Sequence, residues 1–361
     1  MKLLNFLKLR TLMLLVIVST TMIMSSCKDD NTTSNGADKT ALNALIVTAD
    51  KLATDAKDSD YPQTAIDTYK SSLQTIKSTA GTNLTQVQVN NLVTQLQQTM
   101  DTFKSKAYGF IDEATALIAG WHFDEGTGTT ATAFSTTKHV ATFKKGNAAI
   151  LGNNAMDPTW VDGVKGGKAV YLNNGAHLEV PYTTAFLPSN LTISVWVKPT
   201  ELYENNYIIS QNFWNGYKLQ TQGGGKPFFT YKKADGGIID ADNETDNSIK
   251  ANQWNHIVVT LDGTAKKLIF YVNGVLTKTW DETTKGIGPM TTSLTKPDPQ
   301  PFLIGAVATD EEIANDPDTK WMDWTNATNL GFFKGAIDEL KLYNIALTEG
   351  QVSKLYADEK P

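Results

Sequence analysis

Leu191-Thr192-Ile193-Ser194-Val195-Trp196-Val197-Lys198-Pro199 is the stretch that decides the fold. Ile193, Val195 and Val197 alternate with Thr192, Ser194 and Trp196, the period of two that sends successive side chains to opposite faces of a strand. Leu268, Phe270 and Val272 repeat the pattern and lead into Asn273-Gly274, a pair suited to a two-residue hairpin turn. Turn residues recur from Leu117 onward, and no helical repeat returns until the last dozen residues. Residues 117–361 are therefore expected to form one all-β sandwich, within the size range of single-domain sandwiches.

Upstream the period changes. Leu42, Leu45, Ala49, Leu52 and Ala56 recur at steps of three and four, as do Ile66, Tyr69, Leu73, Ile76 and Ala80. Val89, Leu92, Leu96, Met100, Phe103 and Ala107 continue the pattern. Breaks fall at Ser59-Asp60-Tyr61-Pro62 and at Gly81-Thr82-Asn83, where proline opens a helix and glycine closes one. The spacing predicts a three-helix bundle over 39–116, with the third helix continuing through Asp112 and Glu113 into the sandwich as a stiff joint. It resembles the FIVAR type of surface module in its Tyr-containing second helix and its Thr-Gln-x-x-Val third helix, which implies a spacer.

Residues 1–10 are cationic and 11–24 apolar, a secretory signal whose apolar run is too short to span a membrane comfortably. Met24-Ser25-Ser26-Cys27 follows and resembles the lipobox of bacterial lipoproteins, although that family prefers Leu at the first position and Gly or Ala before the cysteine. The chain has one cysteine, so no internal disulfide can form, and lipidation gives Cys27 a purpose in an exported protein. Residues 1–26 are thus read as a lipoprotein signal peptide and 27–38 as the lipidated cysteine and a polar tether. The run Lys28-Asp29-Asp30 resembles a surface-export signal, which implies the outer membrane with the protein facing the cell exterior.

Charge narrows the partners. Removing Lys2, Lys8 and Arg10 with the leader leaves 29 basic residues against 38 acidic ones, a net −9, and Arg10 is the only arginine. A nucleic-acid binder shows a basic stripe rich in arginine, so nucleic acid is excluded as a partner. The membrane is contacted through the lipid anchor only.

Six segments then agree in order and spacing. They are Trp121-His122-Phe123-Asp124-Glu125-Gly126, Gly163 to Val170, Leu191 to Pro199, Trp254-Asn255-His256-Ile257-Val258-Val259, Tyr271-Val272-Asn273-Gly274 and Phe333 to Asn344. Together they resemble the laminin-G-like (LamG), concanavalin A-like lectin/glucanase jelly roll over 118–361. The resemblance implies a multi-domain chain, a small three-helix bundle followed by an all-β concanavalin A-like jelly-roll sandwich. It also implies one structural Ca²⁺ tying the first strand to the last, with Asp338 at the terminal-strand position and Asp124 as its companion. The competing reading of Asp338 is a turn cap or a lysine partner.

Most aromatic motif residues read as core, and His256, with no acid nearby in sequence, reads as a buried, satisfied histidine. His122, His139 and His177 show no metal-ligand spacing. The acidic run Asp240–Asp246 fails as an EF-hand loop, because Thr245 stands where glycine is needed, and reads as a solvated loop. Loops are the expected place for recognition. Residues 211–217 carry Trp214 and Tyr217; residues 306–331 carry Trp321 and Trp324 beside Asp323 and Asn326. Such aromatics either stack on sugar faces, with the acid and amide pairing to hydroxyls, or cover the sandwich edge.

These features point first to a non-catalytic surface lipoprotein that binds a polysaccharide or other glycan and serves, with outer-membrane uptake proteins, in glycan uptake. A protein-binding adhesin on the same scaffold is the alternative. A glycoside hydrolase stands third: glucanases of this fold share a strand pattern Glu-x-Asp-x-x-Glu, and that string does not occur here.

Overall fold

The computed structural model describes residues 36–294, 299–315 and 331–361. The signal segment, Cys27 and the residues Trp321, Asp323, Trp324 and Asn326 lie outside the described residues.

Three helices come first: α1 (Thr40–Asp55), α2 (Gln63–Ala80) and α3 (Gln86–Lys104). Their apolar stripes meet in a separate core built on Leu42, Ala49, Ile66, Tyr69, Leu73, Leu92, Leu96, Met100 and Phe103. Tyr61 and Tyr69 stack on either side of Phe103, at centroid distances of 4.3 and 4.4 Å. The start of α3 is fixed by a capping box, in which the Thr85 hydroxyl accepts from the Gln88 amide and the Gln88 side chain accepts from the Thr85 amide.

The expected continuous third helix is not what forms. α3 stops at Lys104, and only a single turn, Glu113–Ala116, precedes the first strand. The physical reason lies in the intervening backbone. The Tyr108 amide donates to the Asp60 carbonyl, and Gly109 packs so closely on Lys354 that a Cβ would sit 2.8 Å from that side chain. Neither contact is compatible with a helix running through.

The remainder is a two-layered antiparallel sandwich. Sheet 1 runs Val275–Asp281, Lys267–Val272, Asn255–Asp262, Leu191–Pro199, Gly335–Tyr343, Lys168–Leu172, Thr159–Asp162, with Leu117–Trp121 also paired to Gly335–Tyr343. Sheet 2 runs Ile238–Asp242, Lys226–Lys232, Tyr217–Gln222, Asn206–Gln211, Phe302–Ile304, His177–Val180, Val140–Lys144, Thr130–Thr132. Sheet neighbours that are distant in sequence are what a jelly roll requires. The hairpin at Asn273-Gly274 forms as expected: both residues have positive φ, +50° and +76°, and Val272 faces Val275 across it.

Alternation explains the core. Ile193, Val195 and Val197 point between the sheets, where they meet Ile257, Val259, Phe270, Leu219, Phe229 and Ile304. The other face of sheet 1 is also buried, because the C-terminal helix Glu349–Glu359 lies on it. Val258, Tyr271 and Tyr343 pack there with Leu347, Val352 and Leu355. That helix, expected from the last dozen residues, leaves sheet 2 as the sandwich face not roofed by it.

Candidate ligand face and oxygen cradle

Register on sheet 2 builds one row of side chains across all eight strands. Thr130 faces Thr142, Thr142 faces Glu179, Glu179 faces Leu303, Leu303 faces Ser210, Ser210 faces Lys218, Lys218 faces Thr230 and Thr230 faces Asp240. Seven of these eight residues are polar, although the row crosses the middle of a sheet. Their parity is opposite to that of Leu178, Leu219, Phe229 and Ile304, which enter the core, so the row stands on the outer face, exposed at Thr130, Thr142 and Asp240 and buried at Leu303, Ser210, Lys218 and Thr230.

Lys218 is the centre of that face. Its ammonium lies 5.1, 5.3 and 5.2 Å from the ring centres of Tyr207, Trp214 and Phe228, and it donates to Gln220 Oε1 at 2.8 Å. Burial holds its pKa down at about 8, against an opposing pull from Asp240. Thr230 donates to Asp240 Oδ1 at 2.5 Å, and at the strand end buried Gln211 donates to Asn212 Oδ1 and to the Gln300 carbonyl oxygen. Asp240 and Asp242 therefore belong to the edge strand Ile238–Asp242, with Asp242 paired to Lys226 at 3.2 Å, where a solvated loop was expected over 240–246. The apolar partners Ile239 and Ala241 turn inward between them, which is why the acids alternate outward.

The two described aromatics expected to form a platform separate. Trp214, on a short turn Phe213–Asn215, is half-buried, stands edge-on to Phe213 at 5.1 Å and belongs to a cluster with Tyr207, Val307, Ala308 and Ile313. Tyr217 is 0% exposed and sits in the core against Phe229. It cannot present its ring to a sugar. Strand parity is the cause, for Tyr217 and Leu219 share the inward side and Lys218 takes the outward position. Sequence reasoning overlooked Lys218, Gln220 and Tyr207, although the alternation of 217–222 carried the signal.

Asp338 lies on Gly335–Tyr343, where a bulge with Glu339 at φ +46° inserts an extra residue between the inward Ile337 and Leu340. Its carboxylate is 2% exposed; Oδ2 accepts the Val164 amide at 2.8 Å and Oδ1 the Glu339 amide at 2.9 Å. Burial pushes its pKa up to about 7, with the charges of Glu339 and Asp124 adding to the shift. Asp124 is exposed and accepts the Lys168 amide at 2.7 Å. A Cβ placed on Gly163 would lie 2.6 Å from the Gly166 carbonyl oxygen, 2.8 Å from Asp338 Oδ2 and 2.8 Å from the Lys168 carbonyl oxygen. Three oxygens thus crowd Gly163 and leave no room for a Cβ; they are hard oxygens, the ligand class that calcium takes. Among the described residues no three acidic or imidazole side chains gather as a metal group, so carbonyls must complete any shell.

One arrangement has the outline of a nucleophile–base pair. Ser194 Oγ lies 2.8 Å from His256 Nε2, and Glu359 approaches that same nitrogen at 3.9 Å. Both Ser194 and His256 are fully buried beneath the C-terminal helix, and burial holds the imidazole down at about 3. His256 Nδ1 has no partner, whereas an orienting acid belongs on that atom. The acid neighbour missed in the sequence, Glu359, is instead held by Trp196 Nε1 and Lys341, which in turn bonds Glu339. The cluster ties the helix to the sheet.

A family model described as "Concanavalin A-like lectin/glucanases superfamily" (Laminin_G_3) matches residues 172–353. Domain 4 of AbnA, a GH43 extracellular arabinanase from Geobacillus stearothermophilus solved with arabinotriose, aligns at 20% identity over 68% of this chain and 100% of that one, with a TM-score of 0.47. The binding domain of Paraclostridial Mosquitocidal Protein 1 aligns at 17% identity over 67% and 52%, with a TM-score of 0.45. The binding domain of Botulinum Neurotoxin DC, in complex with SialylT, aligns at 13% identity over 69% and 52%, with a TM-score of 0.46. The chain spans about half the length of these toxin domains. No match was found among curated proteins.

Proposed function

The chain belongs to the concanavalin A-like lectin/glucanase superfamily, and from that premise we propose that it is a non-catalytic carbohydrate-binding protein. The observation that carries the reading is the outer face of sheet 2: a polar row eight strands long, with Tyr207, Trp214 and Phe228 clustered at Lys218. Sugars offer hydroxyls that pair with amides, hydroxyls and acids, and apolar C–H faces that pack on rings. The row is exposed at Thr130, Thr142 and Asp240 and half-buried at Glu179, and these are the members a sugar can reach. Trp321, Asp323, Trp324 and Asn326 belong to the same reading as ligand-binding candidates.

In this reading the signal segment exports the chain, Cys27 carries the lipid, and the protein faces the exterior of the outer membrane, capturing a polysaccharide for uptake proteins. The helical bundle acts as the spacer. One structural Ca²⁺ is held by Asp338, with Asp124 and the Gly166 and Lys168 carbonyls as the available oxygens, and it would supply the charge that lets buried Asp338 ionise.

Residues 28–361 in affinity electrophoresis and calorimetry against a polysaccharide panel test this. Retardation by one polymer, weakened in Trp214→Ala and in a Trp321→Ala/Trp324→Ala variant, is the expected result. No retardation by any polymer, with the protein folded, would sink the carbohydrate reading in favour of protein adhesion. The calcium reading has its own check: Ca²⁺ should raise the melting temperature of the wild type and not of Asp338→Asn.

A further inference from the structure

Beside Glu179 of the polar row, a cavity of about 350 Å³ is lined by Lys144, Lys145, His177, Glu179, Asp310 and Glu311 among others. The volume is at the lower end of the range of small-molecule sites, roughly 300–1,000 Å³. His177 and Glu179 enter it from one face of the strand His177–Val180, because Leu178 and Val180 turn into the core.

The polar atoms facing the cavity are mismatched. His177 is 2% exposed, and its Nδ1 lies 2.8 Å from the Gly175 carbonyl oxygen. A carbonyl only accepts, so Nδ1 carries the hydrogen, and whenever the ring is neutral Nε2 presents a lone pair. Nε2 has no hydrogen-bond partner. Across from it at 3.5 Å is Glu179 Oε1, a second acceptor that pairs with the ring only when Nε2 carries a proton, while Lys144 holds the other Glu179 oxygen at 3.1 Å. Asp310 Oδ1 is likewise buried without a partner. Unmet buried acceptors are costly, and an occupant that brings donors satisfies these two, with Glu179 Oε1 beside them.

We propose that this cavity is a subsite for one neutral sugar unit, whose hydroxyls donate to His177 Nε2, Glu179 Oε1 and Asp310 Oδ1. The proposal rests on the carbohydrate reading and adds to it a location and a ligand class. The class follows from the walls. Three acids stand against Lys144 and Lys145, and Lys144 is already paired to Glu179, so the walls disfavour a carboxylated or sulfated sugar, and a hydrocarbon would leave the buried acceptors unmet. A neutral ring supplies several hydroxyl donors in a compact volume. The two walls come from distant parts of the chain, the strand at 177–180 and the helix Asp310–Asn315, so the acceptors are brought together only by the fold.

The test uses residues 28–361, with histidine-ring ¹H–¹⁵N correlation spectra and affinity electrophoresis run together. Methyl glycosides of neutral hexoses and pentoses are the small probes, and neutral and acidic polysaccharides form the panel. We expect a neutral polymer to be retained, its methyl glycoside to shift the His177 Nε2 resonance, and Asp310→Ala and Glu179→Ala each to weaken retention roughly tenfold. Both variants should keep the wild-type melting temperature within about 2 °C. Retention of a polymer with an unmoved His177 ring and undiminished variants overturns the subsite and leaves the carbohydrate reading standing. Absence of retention by every polymer overturns both. A His177 shift produced by Zn²⁺ and by no glycoside overturns the subsite in favour of a cation.

Discussion

Single residues carry much of the chemistry of the sandwich, and Lys218 is the clearest case. Its buried ammonium gives up a proton near pH 8, whereas the unfolded chain holds it to the ordinary lysine value. Between those values the unfolded state binds more protons, so stability should rise with pH across that interval. Lys218→Met removes the buried charge, and we expect a gain on the order of 2 kcal/mol at pH 7 that fades towards pH 10, partly offset because Gln220 loses its donor. Urea midpoints at several pH values measure this; a variant that is weaker at pH 7, with no pH trend, would show the cage to favour the cation. Gly163→Ala should destabilise by about 1–3 kcal/mol, since its Cβ would fill the space where three oxygens meet. At this scale the sequence was only partly legible. The terminal-strand motif located Asp338, but the motif does not reveal that Val164 and Glu339 supply both its amide donors. Trp214 and Tyr217 looked equivalent as turn aromatics because composition cannot tell a ring facing out from one facing in. Parity can, and the run Tyr217-Lys218-Leu219-Gln220 contained it. His177 and Asp310 had no such signal, being 133 positions apart and joined only by the packing of a helix on a sheet.

Elements were easier to read than sites because periodicity is local. The alternation at 191–199 and the Asn273-Gly274 turn placed their strands correctly, and the 3.6-residue stripes placed three helices. The errors occurred where a tertiary contact overrode the local pattern. α3 ends at Lys104 despite the continuing stripe at Ala107, because Tyr108 and Gly109 are committed to Asp60 and Lys354. The acids of 240–242 extend a strand because the partner strand Lys226–Lys232 pairs with them. Two predictions follow from element ends. Thr85→Ala removes the capping box of α3 and should cost about 1 kcal/mol, read as an earlier helical melt by circular dichroism. Ending the chain at Thr348 should be far more damaging. It strips the roof from Val258, Tyr271 and Tyr343 and leaves Lys341 without Glu359. We expect such a chain to bind a hydrophobic dye and lose near-ultraviolet circular dichroism while retaining much of its strand content; a soluble, native-like truncate would contradict the role assigned to the helix.

For the whole molecule, two separate cores imply two cooperative units. Calorimetry of residues 28–361 should therefore resolve two transitions, and Thr85→Ala should move only the one reported by helical signal. Sheet 1 adds a constraint of another kind. Its strand Gly335–Tyr343, drawn from the far end of the chain, lies in the interior between Leu191–Pro199 and Lys168–Leu172 and also pairs with Leu117–Trp121. During synthesis, the first two hundred residues of the sandwich can collapse around a gap but cannot seal it until that strand emerges. The jelly roll therefore closes only once the strand at 335–343 has been made, and until then its earlier strands leave an open seam in sheet 1.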